Sequence, residues 1–191
     1  MSYKRTVDSA TELISLPDAK LHLRVDHDDD DSLIDAIRAS ARKWAEKYAE
    51  RSFFTQTWVR NLDVFPDSLD VIELLNGPVQ SVTTLKYFDE DDVQQTWDAS
   101  NFRVDINSQV ARIEAVDSFP DTFDRIDAIE ITYLAGETDI ADVDEEIVTA
   151  VKVFIADLYE NRESFIKGTQ VNMIDIVKML LNQFKVYNVI K

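Results

Sequence analysis

Cysteine is absent from this chain of 191 residues, histidine occurs twice, glycine three times and proline four times. Without cysteine there can be no disulfide, no thiolate metal site and no cysteine nucleophile. Three glycines leave no material for a glycine-rich phosphate loop. The chain has no Walker A motif, no dinucleotide fingerprint and no G-x-S-x-G elbow. No stretch approaches 18 uninterrupted apolar residues, so no spanning helix is expected. No apolar run follows the basic pair Lys4-Arg5, and no secretory signal is expected there. The expectation is a soluble, intracellular protein.

What the chain does have is negative charge: 37 Asp plus Glu against 20 Lys plus Arg, a formal balance of -17. With 45% hydrophobic and 10% aromatic residues it is nonetheless globular in composition. Its length suits one domain, or one domain carrying an insertion. The charge is unevenly spread. Residues 1–50 hold 8 basic and 11 acidic side chains, residues 51–149 hold 6 and 22, and residues 150–191 hold 6 and 4. Gripping DNA requires clustered cations that displace counterions, and the middle of the chain lacks them.

Pattern changes where charge changes. Leu33, Ile34, Ile37, Ala41, Trp44, Ala45 and Tyr48 fall on one stripe of a helix with 3.6 residues per turn, opposite Arg38, Arg42, Lys43, Glu46 and Lys47. A shorter helix opens at Pro17 and runs through Ala19, Leu21 and Leu23. From Thr55 to Leu134 the signal is strand: Thr57–Val64, Val71–Leu75, Val79–Phe88, Val93–Trp97, Phe102–Asp105, Val110–Glu114 and Ala128–Leu134. In the third of these, Val79, Ser81, Thr83, Leu85 and Tyr87 share one face by alternation. Helical spacing returns at Ile147, Val151, Phe154, Ile155 and Leu158, and again at Met173, Val177, Leu180, Leu181 and Phe184. Neither helical half can bury its apolar face alone. The reading is therefore α+β: a small bundle of N- and C-terminal helices (1–54 and 138–191) with an inserted, mainly antiparallel β-domain at 55–137.

Candidate sites are few. Asp26-His27-Asp28-Asp29-Asp30-Asp31 does not fit a calcium loop, because position 12 counted from Asp26 is Ile37. The run reads as a helix cap, by Asp28 or a neighbour, with the other carboxylates opposing the helix dipole. His22 and His27, five apart, miss the spacing of a helical metal pair. No metal, cofactor or catalytic set is expected. Arg38, Arg42, Lys43 and Lys47 are candidate inter-subunit contacts. The competing reading is a solvated face held by pairs such as Arg42 with Glu46. Trp44, Tyr48, Phe154 and Tyr159 read as core.

Several short segments, in order, resemble the head–tail connector proteins of tailed phages, also called adaptor or head-completion proteins. They are Ala19-Lys20-Leu21-His22-Leu23-Arg24-Val25-Asp26 with its aspartate run, Glu46-Lys47-Tyr48-Ala49-Glu50-Arg51, and Thr55-Gln56-Thr57-Trp58. Gly77-Pro78-Val79, Tyr133-Leu134-Ala135-Gly136, Tyr159-Glu160-Asn161-Arg162-Glu163 and Leu180-Leu181-Asn182-Gln183-Phe184-Lys185 complete the set. One departure is Glu50, where the family usually has glycine. The resemblance implies a structural subunit of the virion head–tail junction, made in the host cytoplasm. It implies a ring, often dodecameric, beneath the portal protein, with DNA passing through without tight binding and a tail-side connector or stopper protein docking below. The subunit could be a monomer before it meets the portal, and no membrane is involved. Phe184, Lys185 and Tyr187 are the candidate portal contact, against the plainer reading of Phe184 as core. Two other readings start from the charge alone. One is an acidic DNA mimic that occupies a host DNA-binding protein, and the other is a metal-dependent hydrolase built on the aspartates.

Overall fold

The computed structural model describes residues 2–67, 70–161 and 173–186; for 173 and 174 it describes the backbone only. The described residues form two compact units. One contains residues 2–9 and 54–138, the other 10–53 and 139–186. The fold is α+β, with four α-helices and antiparallel sheets.

The helical unit comprises α1 (Leu16–Leu23), α2 (Asp31–Ala49), α3 (Glu145–Glu160) and α4 (Met173–Leu181). Ser15 caps α1 by accepting from the Asp18 amide at 3.2 Å, and Pro17 sits in the first turn, where a missing N–H costs nothing. Helix α2 buries Ile34, Ala41 and Ala45 of its apolar stripe, together with Ala49, and half-buries Ile37, Trp44 and Tyr48, whereas Leu33, expected on the same stripe, is exposed. It packs on α3 through Trp44 and Phe154, whose ring centroids lie 4.7 Å apart. Ile147, Ala150, Val151 and Ile155 bury the facing stripe of α3, and Val177 and Leu181 do so for α4. Helix α2 ends on Glu50, which adopts the left-handed conformation (φ 54°) and donates its N–H to the Glu46 carbonyl.

The expected side-chain cap of α2 is absent. Asp30 occupies the cap position with ψ near 5°, a backbone turn that aims its carboxylate away from the first amides. It accepts instead from the Tyr159 hydroxyl at 2.5 Å. Asp28 and Asp31 both accept from Lys20 Nζ, at 2.5 and 2.7 Å. The aspartate run thus ties α1 and α3 to the head of α2.

The β unit holds a five-stranded antiparallel sheet in the order β1-β2-β8-β4-β5 and a three-stranded sheet in the order β3-β7-β6. The strands are β1 (Ser2–Val7), β2 (Gln56–Leu62), β3 (Ile72–Leu74), β4 (Val79–Phe88), β5 (Gln94–Thr96), β6 (Phe102–Asp105), β7 (Ala111–Ala115) and β8 (Ile129–Ala135). Alternation is clean in β7 and β8: Ala111, Ile113 and Ala115 point inward, as do Ile129, Ile131, Tyr133 and Ala135. These faces share one core with Leu62, Phe65, Ile72, Leu74, Leu85 and Trp97. The Tyr133 hydroxyl donates to the Leu75 carbonyl at 2.7 Å, joining the sheets through a polar contact.

Two sequence expectations change here. Residues 2–7, grouped with the N-terminal helices, form β1, because their hydrogen-bond partners lie in β2, more than fifty residues on. In β4 the simple alternation fails. Register shifts fall between Val79 and Ser81 and between Val82 and Thr84, so Val82 lies opposite Tyr133 and packs on the core while Ser81 and Thr83 are exposed. Each extra residue inverts the facing of those that follow. Beyond β8, Gly136 takes φ 108°, and a Cβ there would lie 1.9 Å from the Phe54 carbonyl oxygen, so only glycine fits.

Candidate functional site

Among the described residues, no group of three or more His, Asp or Glu side chains is arranged to hold a metal ion. The aspartates serve geometry instead. Asp89 Oδ1 accepts from the Asp91 and Val93 amides, Asp98 from Ser100, Asp105 from Asn107 and Ser108, and Asp139 from Ala141. Each closes a local turn, which is why Asp is favoured there. Hydrogen bonds hold Asp89, Asp98 and Asp105 below the usual carboxylate range: from the Gln95 amide and then the Val93 N–H at Asp89, from Ser100 at Asp98, and from Arg112 and then Ser108 at Asp105. The sequence reads Asp89-Glu90-Asp91-Asp92 as a polar turn, but not the turns at Asp98, Asp105 and Asp139, although the signal was there, since each aspartate sits two or three residues before the amide it receives.

The helical unit carries an open groove of about 470 Å³ lined by Leu16, Pro17, Lys20, Leu21, Val25, Asp28 and Asp31. Its one cation is neutralised. The hydrogen bond to Asp28, then that to Asp31, raises the Lys20 pKa, and the bond from Lys20 lowers that of Asp28. The groove contains no nucleophile, and its polar groups already pair with each other.

The four basic candidates on α2 separate. Arg42 is 1% exposed. Its Nε donates to Glu12 Oε2 at 2.9 Å, its Nη2 to Glu12 Oε1 at 3.2 Å, and its Nη1 to Glu46 Oε2 at 2.9 Å. Glu46 also accepts from the Phe53 amide. Arg42 is therefore an internal strut rather than a docking residue, since its donors are spent inside its own unit. Arg38 donates to the Ile14 carbonyl at 2.8 Å and pairs with Asp35. Lys43 and Lys47 are exposed.

At the other end of α2, Lys185 Nζ lies 4.9 Å from the centre of the Tyr48 ring, and the Tyr48 hydroxyl donates to Asn182 Oδ1 at 2.6 Å. Phe184 and Lys185 are half-buried and follow α4 in a short 3-10 turn. Tyr187, the third residue of that candidate contact, lies outside the described residues, as do Arg162 and Glu163 of the motif beginning at Tyr159.

Among the described residues, charged side chains thus close turns or pair with one another. The comparisons show what the chain is similar to. Residues 13–97 match the family described as phage gp6-like head-tail connector protein. Three solved structures share the fold across the whole chain and 98% of their own. One, at TM-score 0.80 and 19% identity, is from the neck of an empty GTA particle computed with C6 symmetry. Another, at 0.80 and 18%, is from the virion of a native gene transfer agent (GTA) particle. The third, at 0.74 and 20%, is from the neck of a native GTA particle computed with C12 symmetry. No curated protein matches the chain in sequence. The resemblance to head–tail connectors read from the residues is thus shown by the family match over residues 13–97, while the solved structures show the fold of the whole chain.

Proposed function

We propose that this protein is a connector subunit at the head–tail junction of a phage-like particle, assembled there as a ring, with DNA passing through its centre. The observation that carries the reading is the whole-chain likeness to neck proteins of particles treated with sixfold or twelvefold symmetry, joined to the connector-family match. A ring of identical subunits needs a heterologous interface, one face meeting a different face of the next copy. Lys43, Lys47 and the exposed part of Arg38 remain candidates for one side of it. Phe184, Lys185 and Tyr187 remain the candidate contact with a portal protein. The acidic β unit supports passage of DNA by repulsion rather than grip. Twelve subunits, a tail-side partner and assembly in a host cytoplasm belong to the same proposal.

The deciding experiment adds the purified protein to portal-bearing, tailless capsids and follows its sedimentation with them. Binding, together with loss of packaged DNA when the protein is left out, is the expected result. A protein that neither binds the capsids nor is needed to retain their DNA is not a connector.

A further inference from the structure

Of the twelve large apolar residues exposed among the described residues, four lie on connections at one end of the β unit. At the end where β2 and β4 finish and β8 begins, Leu62 and Tyr87 both register with Ile129. Three connections meet there. The Asp127 amide donates to Asp63 at 3.0 Å. The Phe123 amide donates to the Phe88 carbonyl at 3.1 Å. Arg125 donates to Asp92 at 2.7 Å while stacking 3.9 Å over the Phe88 ring. The connections joined in this way carry Val64 (69% exposed), Val93 (51%), Phe123 (40%) and Ile126 (79%). Exposed aliphatic side chains occur singly on any surface, but four carried by three converging connections mark an interaction site.

Their setting gives the chemistry of the occupant. The same connections carry Asp63, the run Asp89-Glu90-Asp91-Asp92, and aspartates at 117, 121, 124 and 127. Their one cation, Arg125, is already paired with Asp92. Like-charge repulsion excludes nucleic acid and any acidic protein from this end. A second copy of this chain also fits poorly: on the basic face of its α2 Arg42 is buried and Arg38 is paired with Asp35, which leaves Lys43 and Lys47 against nine carboxylates.

We infer that this end of the β unit docks a different protein, through a segment in which apolar side chains are flanked by Lys or Arg. The apolar residues supply affinity and the carboxylates supply orientation and rate of encounter. This deepens the connector reading by specifying a docked neighbour, and it rests on that reading for the neighbour's place in a particle.

Two measurements test it. In the first, the full chain with labelled Val and Ile methyls is titrated with peptides of equal length that alternate Lys with Leu, Lys with Ser, or Glu with Leu. The Lys–Leu peptide is expected to shift Val64, Val93 and Ile126 selectively. It should bind at least tenfold more tightly than the other two, and lose about tenfold in affinity when Val64 and Ile126 are both changed to Ser. Equal binding of the Lys–Ser peptide, shifts centred elsewhere, or no binding overturns the inference. No particle is present, so this result stands whatever becomes of the connector reading. In the second, a photoreactive benzoylphenylalanine replaces Ile126 in assembled particles. Crosslinking to a basic, apolar-bearing segment of another protein supports the inference, whereas crosslinking to a second copy, to DNA or to nothing overturns it. A chain that never enters particles refutes the connector reading instead.

Discussion

Glu50 shows how one residue can hold an unfavourable conformation for the sake of the chain path. Its φ of 54° lets its N–H reach the Glu46 carbonyl and turns the chain sharply after α2, toward an Arg51 amide that also bonds to Glu46 O at 3.1 Å. A side chain with a Cβ pays about 1 kcal/mol or more for this region, while glycine enters it freely but loses more freedom on folding. Changing Glu50→Gly should therefore stabilise the protein by about 0.5–1 kcal/mol, and Glu50→Ala should not. Urea midpoints at constant slope will show it. A lower midpoint for the glycine variant would mean that the contacts of the Glu50 side chain outweigh the backbone cost. A glycine at this position would make the same exit without the backbone cost that Glu50 carries. Arg42 belongs to the same scale. Its spacing to Glu46 was legible at four residues, but its enclosure was not, because Glu12 arrives from a segment thirty residues away.

At the scale of elements, strand β4 separates what pattern can and cannot predict. Its β-branched and aromatic composition marks it as a strand, but its two register shifts are set by pairing with β8, which lies more than forty residues further on. The consequence is measurable. Val82→Ala should cost about 1–2 kcal/mol, as removal of partly buried apolar atoms from the core does, whereas Thr83→Ala should stay within about 0.5 kcal/mol. Equal costs at the two positions, read from thermal or urea unfolding, would contradict the inward placement of Val82. The N-terminal strand β1 makes the same point from the other side. Its six residues are short, basic and without a clean alternation, and only the free edge of β2 makes them a strand. The helices were the most legible elements, since an apolar stripe at 3.6 spacing survives any packing partner. Helix α1 was found by its proline and α2 by its stripe, while the aspartates before α2 were read as a cap and turned out to be ion pairs and a tyrosine contact.

For the whole molecule, the distribution of charge predicts the response to acid. Asp28, Asp63, Asp89, Asp98 and Asp105 all have pKa values below the ordinary 3.8, held there by hydrogen bonds from Lys20, the Asp127 amide, Gln95, Ser100 and Arg112 respectively. In the unfolded chain these groups take up protons at higher pH than in the folded one. Their contribution is therefore complete above about pH 5 and is lost as pH falls through the folded values. Melting temperature should be nearly flat from pH 8 to 5 and drop below about pH 4. Self-repulsion at -17 acts the other way, since it relaxes on protonation. A melting temperature that rises steadily down to pH 3 would show that repulsion outweighs the local bonds. Lys20, raised by its two carboxylates, adds a contribution present below its ordinary 10.5 and lost as pH climbs through its folded value.

Composition, periodicity and turn residues determined the class of this protein without help. They left no thiol chemistry open, placed the four helices and seven of the eight strands of the described residues, and located most of the acidity in the segment that folds as sheets. These properties are local, each carried by neighbours within about a dozen residues. The tertiary structure decided the rest. It showed that Arg42 is inside and that Val82 rather than Thr83 faces the core. It also gathered Val64, Val93, Phe123 and Ile126 from three connections onto one end of the β unit. Each of these depends on residues brought together across thirty or more positions of sequence, and only chain closure fixes which of them meet.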